Sequence, residues 1–368
     1  MKKLLVILMG LAACTSKPST PDWSSMDQYM NSLFPADGPG GAVLIARGDS
    51  VLFSAGYGLA DLVTKEKITT GTLFNVGSIS KTFVANAILQ LQEQGKLSVD
   101  DSLIRYFPNF RNKQIGRSVR IRHLLTHTSG LPDIRPVRRD SVFYLTAKDA
   151  ENWAPILEAD SLVFEAGSAY EYSNPAFNAL ALIIEQVTGQ KWQDYVREQI
   201  FAPCNMTTST ITDGPHPQSG VSHAYIKVKG SWSEKDYGEE PTFAAAGNGG
   251  VWSSVVELMK YERGLKQAAF LKAETIQDAR TVKTFSNWTA TTPPFIGWSW
   301  FVGKTPDGLE TVGHTGSQGG FRANYVTVPA VDVQIVILCN APYDLQPVTD
   351  HVLEQLKSAP WWDTTVQP

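Results

Sequence analysis

Apolar residues recur along this chain with two different periods, and the places where the period changes divide it. Gly41 to Ala46 and Val51 to Ala55 are β-rich runs, and Arg47-Gly48-Asp49-Ser50 between them has turn composition, so the pair predicts a hairpin. From Ile79 the spacing becomes helical: Ile79, Phe83, Val84, Ala87, Ile88 and Leu91 recur at that period, and Gly95 supplies the C-terminal stop. A second clear helix is predicted over Pro175 to Val187, where Ala176, Ala179, Leu180, Ile183 and Val187 share one face and Gly189 follows. Other helical segments fill the middle third. Extended runs return late, over 295–302, 321–328 and 331–338, and Val348, Val352, Leu353 and Leu356 then mark a closing helix. Strands at both ends with helices between predict an α+β fold, one sheet assembled from both chain ends and carrying a helical insertion.

Composition changes this picture little. With 368 residues and 43% apolar content, the chain is long enough to bury a large core, expected as one compact catalytic domain over residues 25–358. Its 32 basic and 36 acidic residues give a net charge of −4, which offers no electrostatic reason to expect nucleic acid as a partner. The N-terminus changes it more. Lys2 and Lys3 precede an apolar run from Leu4 to Met9 and then small residues ending at Cys14, the pattern of an export leader and too short to span a bilayer. Leu11-Ala12-Ala13-Cys14 resembles the lipobox of bacterial lipoproteins, which implies removal of residues 1–13, lipid on the Cys14 sulfur and membrane anchoring in the cell envelope. An ordinary secretory leader with an incidental cysteine is the plainer alternative. Thr15 is not the aspartate associated with inner-membrane retention, which favours the outer membrane. Residues 14–24 then serve as a flexible tether, with order beginning near Trp23. Cys204 and Cys339 allow one disulfide, but Cys339 ends the apolar run from Val333 to Leu338, so two free, structural thiols are expected.

Three short elements carry candidate chemistry. Ser78-Ile79-Ser80-Lys81 places a hydroxyl and an amine three residues apart at the start of a helix, so both project from one face. A free serine is a poor nucleophile and needs such a base, while the helix N-terminus offers N–H groups to a developing oxyanion. A lone Ser-x-x-Lys is more simply an N-cap serine beside a solvated lysine. Tyr172-Ser173-Asn174 opens the second helix, where the phenol can move protons and the amide can orient lysine or substrate. By itself it is a core tyrosine in an Asx-type turn, and Tyr29-Met30-Asn31 shows how easily the pattern arises. His314-Thr315-Gly316-Ser317 can lie on a strand with a polar edge, its Ser317 N–H serving as a second oxyanion donor; alone it is a Gly-rich turn with a surface histidine.

In that order, Ser-x-x-Lys, Tyr-x-Asn and His-Thr-Gly resemble the signature of the serine β-lactamase and penicillin-binding-protein superfamily. The runs Ile121 to Leu131 and Ala246 to Val251 are similar to the class C β-lactamase, D-Ala-D-Ala carboxypeptidase and esterase branch. The resemblance covers roughly Gly41 to Asn340 and implies an antiparallel sheet built from both termini, flanked by helices, with the site in a cleft between them. It further implies an acyl-enzyme on Ser78, Lys81 and Tyr172 sharing acid and base work, and substrate contacts from Asn174, His314, Thr315 and Ser317.

One departure bears on substrate. The commoner third motif begins with Lys, a fixed positive charge for a substrate carboxylate, whereas His314 offers a weaker, pH-dependent donor that gains charge as the pH falls through its pKa. D-amino-acid peptides and small esters are therefore expected ahead of β-lactams. His123 and His127 have the four-residue spacing of zinc ligands on a helix, but the glutamate of His-Glu-x-x-His is missing, so no metal and no other cofactor is expected. Arg135, Arg138 and Arg139 read as a solvated basic loop, with a role at the anionic cell wall as the second choice. A different class of answer is a non-catalytic peptidoglycan-binding or sensing lipoprotein, against which the joint presence of Ser78 and Lys81 weighs. Sequence leaves the oligomeric state open.

Overall fold

Strands from the two ends of the chain meet in one sheet. The computed structural model describes residues 21, 23–136, 143, 146–212, 217, 219–234 and 244–362; the leader, Cys14, most of the tether, Arg138 and Arg139 lie outside the described residues. Helix α1 (Trp23–Leu33) leads into the predicted hairpin of β1 (Gly41–Arg47) and β2 (Ser50–Tyr57). The middle of the chain supplies β3 (Phe74–Asn75), helices α2 (Ser80–Glu93) and α3 (Asn174–Thr188), and the short strands β4 (Thr210–Ile211), β5 (Tyr225–Val228), β6 (Ser231–Glu234) and β7 (Val251–Ser253). Helix α4 (Val255–Lys266) follows, then β8 (Phe301–Lys304), β9 (Glu310–Gln318), β10 (Phe321–Val328), β11 (Val333–Cys339) and helix α5 (Gln346–Leu356).

The main sheet runs β2-β1-β11-β10-β9-β8, antiparallel throughout. β11 is its seam: Gly41 to Arg47 pair with Cys339 to Val333 on one side, and Arg322 to Val328 pair with Cys339 to Val333 on the other. Every residue of β11 is buried because both faces of the sheet are covered, which is why its sequence is apolar on both faces instead of alternating; its one polar side chain, Gln334, donates to the Leu258 carbonyl at 3.1 Å. Val43, Ile45, Val333, Ile335 and Ile337 pack with Met26, Met30, Val348 and Val352 of α1 and α5. Ala42, Leu44, Val336 and Leu338 face the larger core with α2, α3 and α4.

Helix α2 is buried along the whole stretch from Ser80 to Leu91, not on one face only, so it is a central helix. Its buried polar side chains therefore need partners inside the protein. Asn86 Nδ2 donates to Tyr261 Oη at 2.6 Å, Gln90 Nε2 to the Phe270 carbonyl at 3.0 Å, and Thr82 Oγ1 to the Ile79 carbonyl at 2.8 Å. Those bonds fix the angle at which α2 presents its N-terminal end.

Several expectations need correction. The run over 295–302 is not one strand: Ser299 adopts φ +67° and donates its N–H to the Leu125 carbonyl, so the chain folds back, Ile296 bridging Phe301, and the strand proper begins at Phe301. β11 starts at Val333, after a 3₁₀ turn at Pro329–Val331 and a left-handed Asp332. The middle third is not wholly helical: β3, β7 and β4 form a small second sheet and β5 with β6 a hairpin, of two to four residues each. Cys204 and Cys339 are buried free thiols. Among the described residues no helix is long and apolar enough to cross a membrane.

Candidate active site

The site begins with a sharp turn. Asn75 Oδ1 accepts the Gly77 N–H at 2.9 Å, Gly77 takes φ +52°, and the chain winds through a 3₁₀ turn at Gly77–Ile79 into α2. Ser78 thus sits on the 3₁₀ turn instead of on the first α-helical turn. The three-residue spacing still works as expected: Lys81 Nζ lies 3.0 Å from Ser78 Oγ. Lys81 is fully buried, and its second polar contact is the Asn248 carbonyl at 2.6 Å. The rings of Tyr172 and Phe177 lie 5.1 and 5.7 Å from Nζ. Burial foremost, and then the nearby charge of Arg135, hold the Lys81 amine well below the ordinary lysine range, which favours the neutral base. Because a carbonyl can only accept, the bond to Asn248 uses an N–H of the amine and leaves a neutral Nζ its lone pair for the Ser78 hydroxyl.

Tyr172 is partly exposed and is aimed by the residues on either side of it. The Glu171 N–H donates to the His127 carbonyl at 2.9 Å, and the Ser173 N–H donates to His127 Nδ1 at 3.0 Å. The two rings lie 4.3 Å apart. His127 is buried and held in the left-handed region at φ +56°, strained for a non-glycine residue. Its imidazole is kept well below the usual histidine range, by burial first and then by the charge of Lys81, so it is neutral with Nδ1 as acceptor. Asn174 begins α3 and lines the cleft, but Lys81 does not use it: the amide holding the lysine is the backbone of Asn248.

The edge of β9 closes the other side. β8 pairs only with residues 310–313, so β9 beyond His314 is free to meet the Ser78 turn. A Cβ on Gly316 would stand 2.0 Å from the Val76 carbonyl oxygen, and one on Gly77 would stand 2.6 Å from the Ser317 nitrogen. Glycine at both places lets the two backbones touch, which brings the Ser317 N–H beside the serine turn. Ser78, Tyr172, Asn174, His314, Thr315 and Ser317 all line one cleft of about 740 Å³, with Lys81 behind Ser78. Cys14, the other sequence-predicted site residue, lies outside the described residues.

Contrary to expectation, His314 does not gain charge over the ordinary histidine range. It is buried against Phe301, with ring centroids 4.8 Å apart, and its Nδ1 donates to the Thr315 carbonyl at 2.6 Å. Burial, with the charge of Lys81 second, lowers its pKa to about 3. Charging it at pH 7 would cost about 5 kcal/mol, more than the roughly 1.5–3 kcal/mol that a hydrogen bond to a charged partner returns. It stays neutral, with Nε2 a bare acceptor that has no partner among the described residues.

The cleft's cation is Arg322, which the sequence reading missed. Gly319-Gly320 joins β9 to β10 so that Arg322 opposes Ser317, and its Nη1 donates to Ser317 Oγ at 2.7 Å and to the Phe321 carbonyl at 2.9 Å. Among the described residues no carboxylate pairs with it; Asp344, also on the cleft, accepts the Gln346 N–H. The readable signal was the Gly-Gly hairpin itself, which fixes the register. Arg135 was misread in the other direction. It is buried, with Nε and Nη2 on the Asp133 carboxylate at 2.8 and 2.6 Å and Nη1 on Asn152 Oδ1 at 2.5 Å.

This arrangement can be set beside known proteins. A family model described as Beta-lactamase matches residues 30–357. Penicillin-binding protein 4* of Bacillus subtilis (strain 168) is 29% identical over 336 residues, which is 87% of this chain and 73% of its own length. A putative D-alanyl-D-alanine carboxypeptidase of Escherichia coli O157:H7 is 26% identical over 89% of this chain and 83% of its own. The octameric penicillin-binding protein homologue from Pyrococcus abyssi superposes with a TM-score of 0.79 at 24% identity, over 92% of this chain and 77% of that one, a likeness of fold.

The burial of His314 predicts a pH effect on stability. Its folded pKa of about 3 lies below the ordinary 6.5, so between those values the unfolded chain binds more protons than the folded one. Its contribution is complete above pH 6.5 and is lost as the pH falls toward 3. His314→Asn keeps a donor near the Thr315 carbonyl and removes the titration. The urea midpoint should therefore drop less between pH 7 and pH 4 in the variant than in the wild type; equal drops would show that His314 carries no share.

Proposed function

This chain belongs to the beta-lactamase family, and on that premise we propose that it is a serine hydrolase that forms an acyl-enzyme on Ser78 with an ester or amide substrate. One observation carries the reading: a buried lysine amine, held below its ordinary pKa, 3.0 Å from the hydroxyl of a serine that borders an open cleft. Ser78 Oγ attacks the substrate carbonyl as its proton passes to Lys81. The N–H groups of Ser78 and Ser317 receive the oxyanion. Lys81 and Tyr172 return a proton to the leaving group, and water then releases the acyl chain by the reverse path.

D-amino-acid cell-wall peptides or small esters are the proposed substrates, and the charge of Arg322 does not by itself separate them from β-lactams, which also carry a carboxylate. The relative from E. coli O157:H7 bears the name of a carboxypeptidase, whose product side carries a free carboxylate. In this cleft Arg322, not His314, is the group with charge to meet a carboxylate. The same reading takes the enzyme to the cell envelope on a Cys14 lipid, supported by the leader and by the Ser- and Pro-containing tether that follows it.

Ser78→Ala should abolish both turnover of p-nitrophenyl acetate and labelling by a fluorophosphonate probe. Lys81→Ala and Tyr172→Phe should each slow labelling about a hundredfold or more. Mass spectrometry of the adduct checks the assignment, and a label on another serine would end it. Arg322→Gln should raise KM about ten- to a hundredfold for nitrocefin, which has a carboxylate, and much less for p-nitrophenyl acetate, which has none. Similar rises for both substrates would remove Arg322 from carboxylate recognition. Cells fed labelled palmitate should incorporate it into the wild-type chain and not into Cys14→Ser; incorporation into both would exclude lipid on Cys14.

A further inference from the structure

Asp149 is a buried carboxylate for which acylation chemistry, as set out above, has no task. It begins the short helix Asp149–Trp153 and is 8% exposed. Its Oδ1 accepts from Asn178 Nδ2 at 2.7 Å and from the Gly247 N–H at 2.9 Å, and its Oδ2 accepts from Trp192 Nε1 at 2.9 Å. Burial pushes this carboxyl up to about 7, and the three donors act in the opposite direction. A buried carboxylate costs several kcal/mol unless its oxygens are satisfied in this way, so the position is expensive for mere packing.

Two of the three bonds converge on the segment that holds Lys81. Gly247 is gripped directly. Asn178 Nδ2, while donating to Asp149, also reaches Asn248 Oδ1 at 3.2 Å, and it is the Asn248 carbonyl that contacts Lys81 Nζ at 2.6 Å. Close packing leaves this segment little choice of position, since a Cβ on Gly247 would stand 2.7 Å from both the Ala181 Cβ and the Phe177 carbonyl oxygen of α3. Downstream, the Val251 N–H donates to Ser80 Oγ at 3.0 Å and the Val251 carbonyl accepts the Val76 N–H at 3.0 Å. The segment is thus tied to the nucleophile turn at its far end and to Asp149 at its near end.

Resting on the serine-hydrolase reading, we propose that Asp149 is a positioning residue for acylation: it fixes Gly247 and Asn248 so that the Asn248 carbonyl holds the Lys81 amine with its lone pair toward Ser78. Asp149 touches neither substrate nor Ser78 in this role. It acts on rate through the aim of Lys81, where a misplacement of about 1 Å is enough to cost up to a hundredfold. None of its three bonds goes to the β9–β10 hairpin, and its bond to α3 falls at Asn178, one turn beyond Asn174 on the cleft.

Three full-length variants test this with p-nitrophenyl acetate and a fluorophosphonate probe. Asp149→Asn keeps the shape and puts an amide N–H₂ against one of the three donors. Asn178→Ala keeps Asp149 and its bonds to Gly247 and Trp192, and removes the bridge through Nδ2 from Asp149 to Asn248. Val352→Ala, on α5 across the sheet, destabilises without approaching the site. Asp149→Asn and Asn178→Ala should lower kcat and the labelling rate about ten- to a hundredfold with KM within about threefold of wild type, while Val352→Ala lowers Tm and leaves kcat within about twofold. If Asp149→Asn fails to fold, Asn178→Ala decides the matter alone. Wild-type kcat in a folded Asp149→Asn or Asn178→Ala, or a kcat loss in Val352→Ala that matches its loss of Tm, overturns the proposal and leaves the hydrolase reading standing. A wild type that neither turns over nor labels overturns both.

Discussion

An amine shut away from water is the constraint from which the rest of this site follows. A lysine ammonium in a dry interior costs several kcal/mol, so burial alone drives Lys81 toward its neutral form. A neutral amine is useful only if it is aimed, and a four-carbon side chain does not aim itself. The Asn248 carbonyl supplies the direction. That carbonyl must in turn be held, which accounts for the glycines, the contact with α3 and the buried carboxylate around residues 246–251. Even the burial of α2 from Ser80 to Leu91 belongs to this chain of needs, because the part of the helix that carries Lys81 has to be walled off on every side.

The remaining parts of the cleft come from segments distant in sequence, and bonds or contacts to backbone groups hold each of them in place. Gly77 and Gly316 let a 3₁₀ turn and a strand edge approach until an added methyl would collide. His127 grips the backbone on both sides of Tyr172 with its carbonyl and its ring nitrogen. Backbone contacts of this kind are short and rigid, and they fix donor positions to within tenths of an ångström, as electrostatic stabilisation of an oxyanion requires.

Much of this was legible in the sequence, and what was not has physical reasons. The period changes gave the hairpin, α2, α3 and α5, and the Ser78–Lys81 spacing gave the nucleophile pair, because local geometry suffices for each. Strands of two to four residues show no period, so β3 to β7 were invisible. Asn248 escaped because it acts through its carbonyl, which every residue type possesses. Arg322 became readable only after β9 and β10 were paired, since its role depends on register. Arg135 and His314 were misjudged for one common reason: spacing says which residues share a face, but burial sets their charge state. A solvated arginine and a histidine that charges in its ordinary range were expected; the interior makes one a buried ion pair and lowers the pKa of the other to about 3.

The place of β11 at the seam of the sheet has a consequence for the order of events as the chain is made. Gly40 N–H bonds to Asn340 Oδ1 across 300 residues of sequence, and β1 has no partner but its own hairpin mate until the last strand arrives. A two-stranded hairpin is marginal in water, so the ribosome must release nearly the whole polypeptide before its first strands gain a stable neighbour. Until then one edge of β1 lacks its pairing strand, an aggregation hazard. Synthesis and folding are thereby separated in time, which leaves a long interval in which the unfolded chain can be handled by chaperones or passed through a translocation channel.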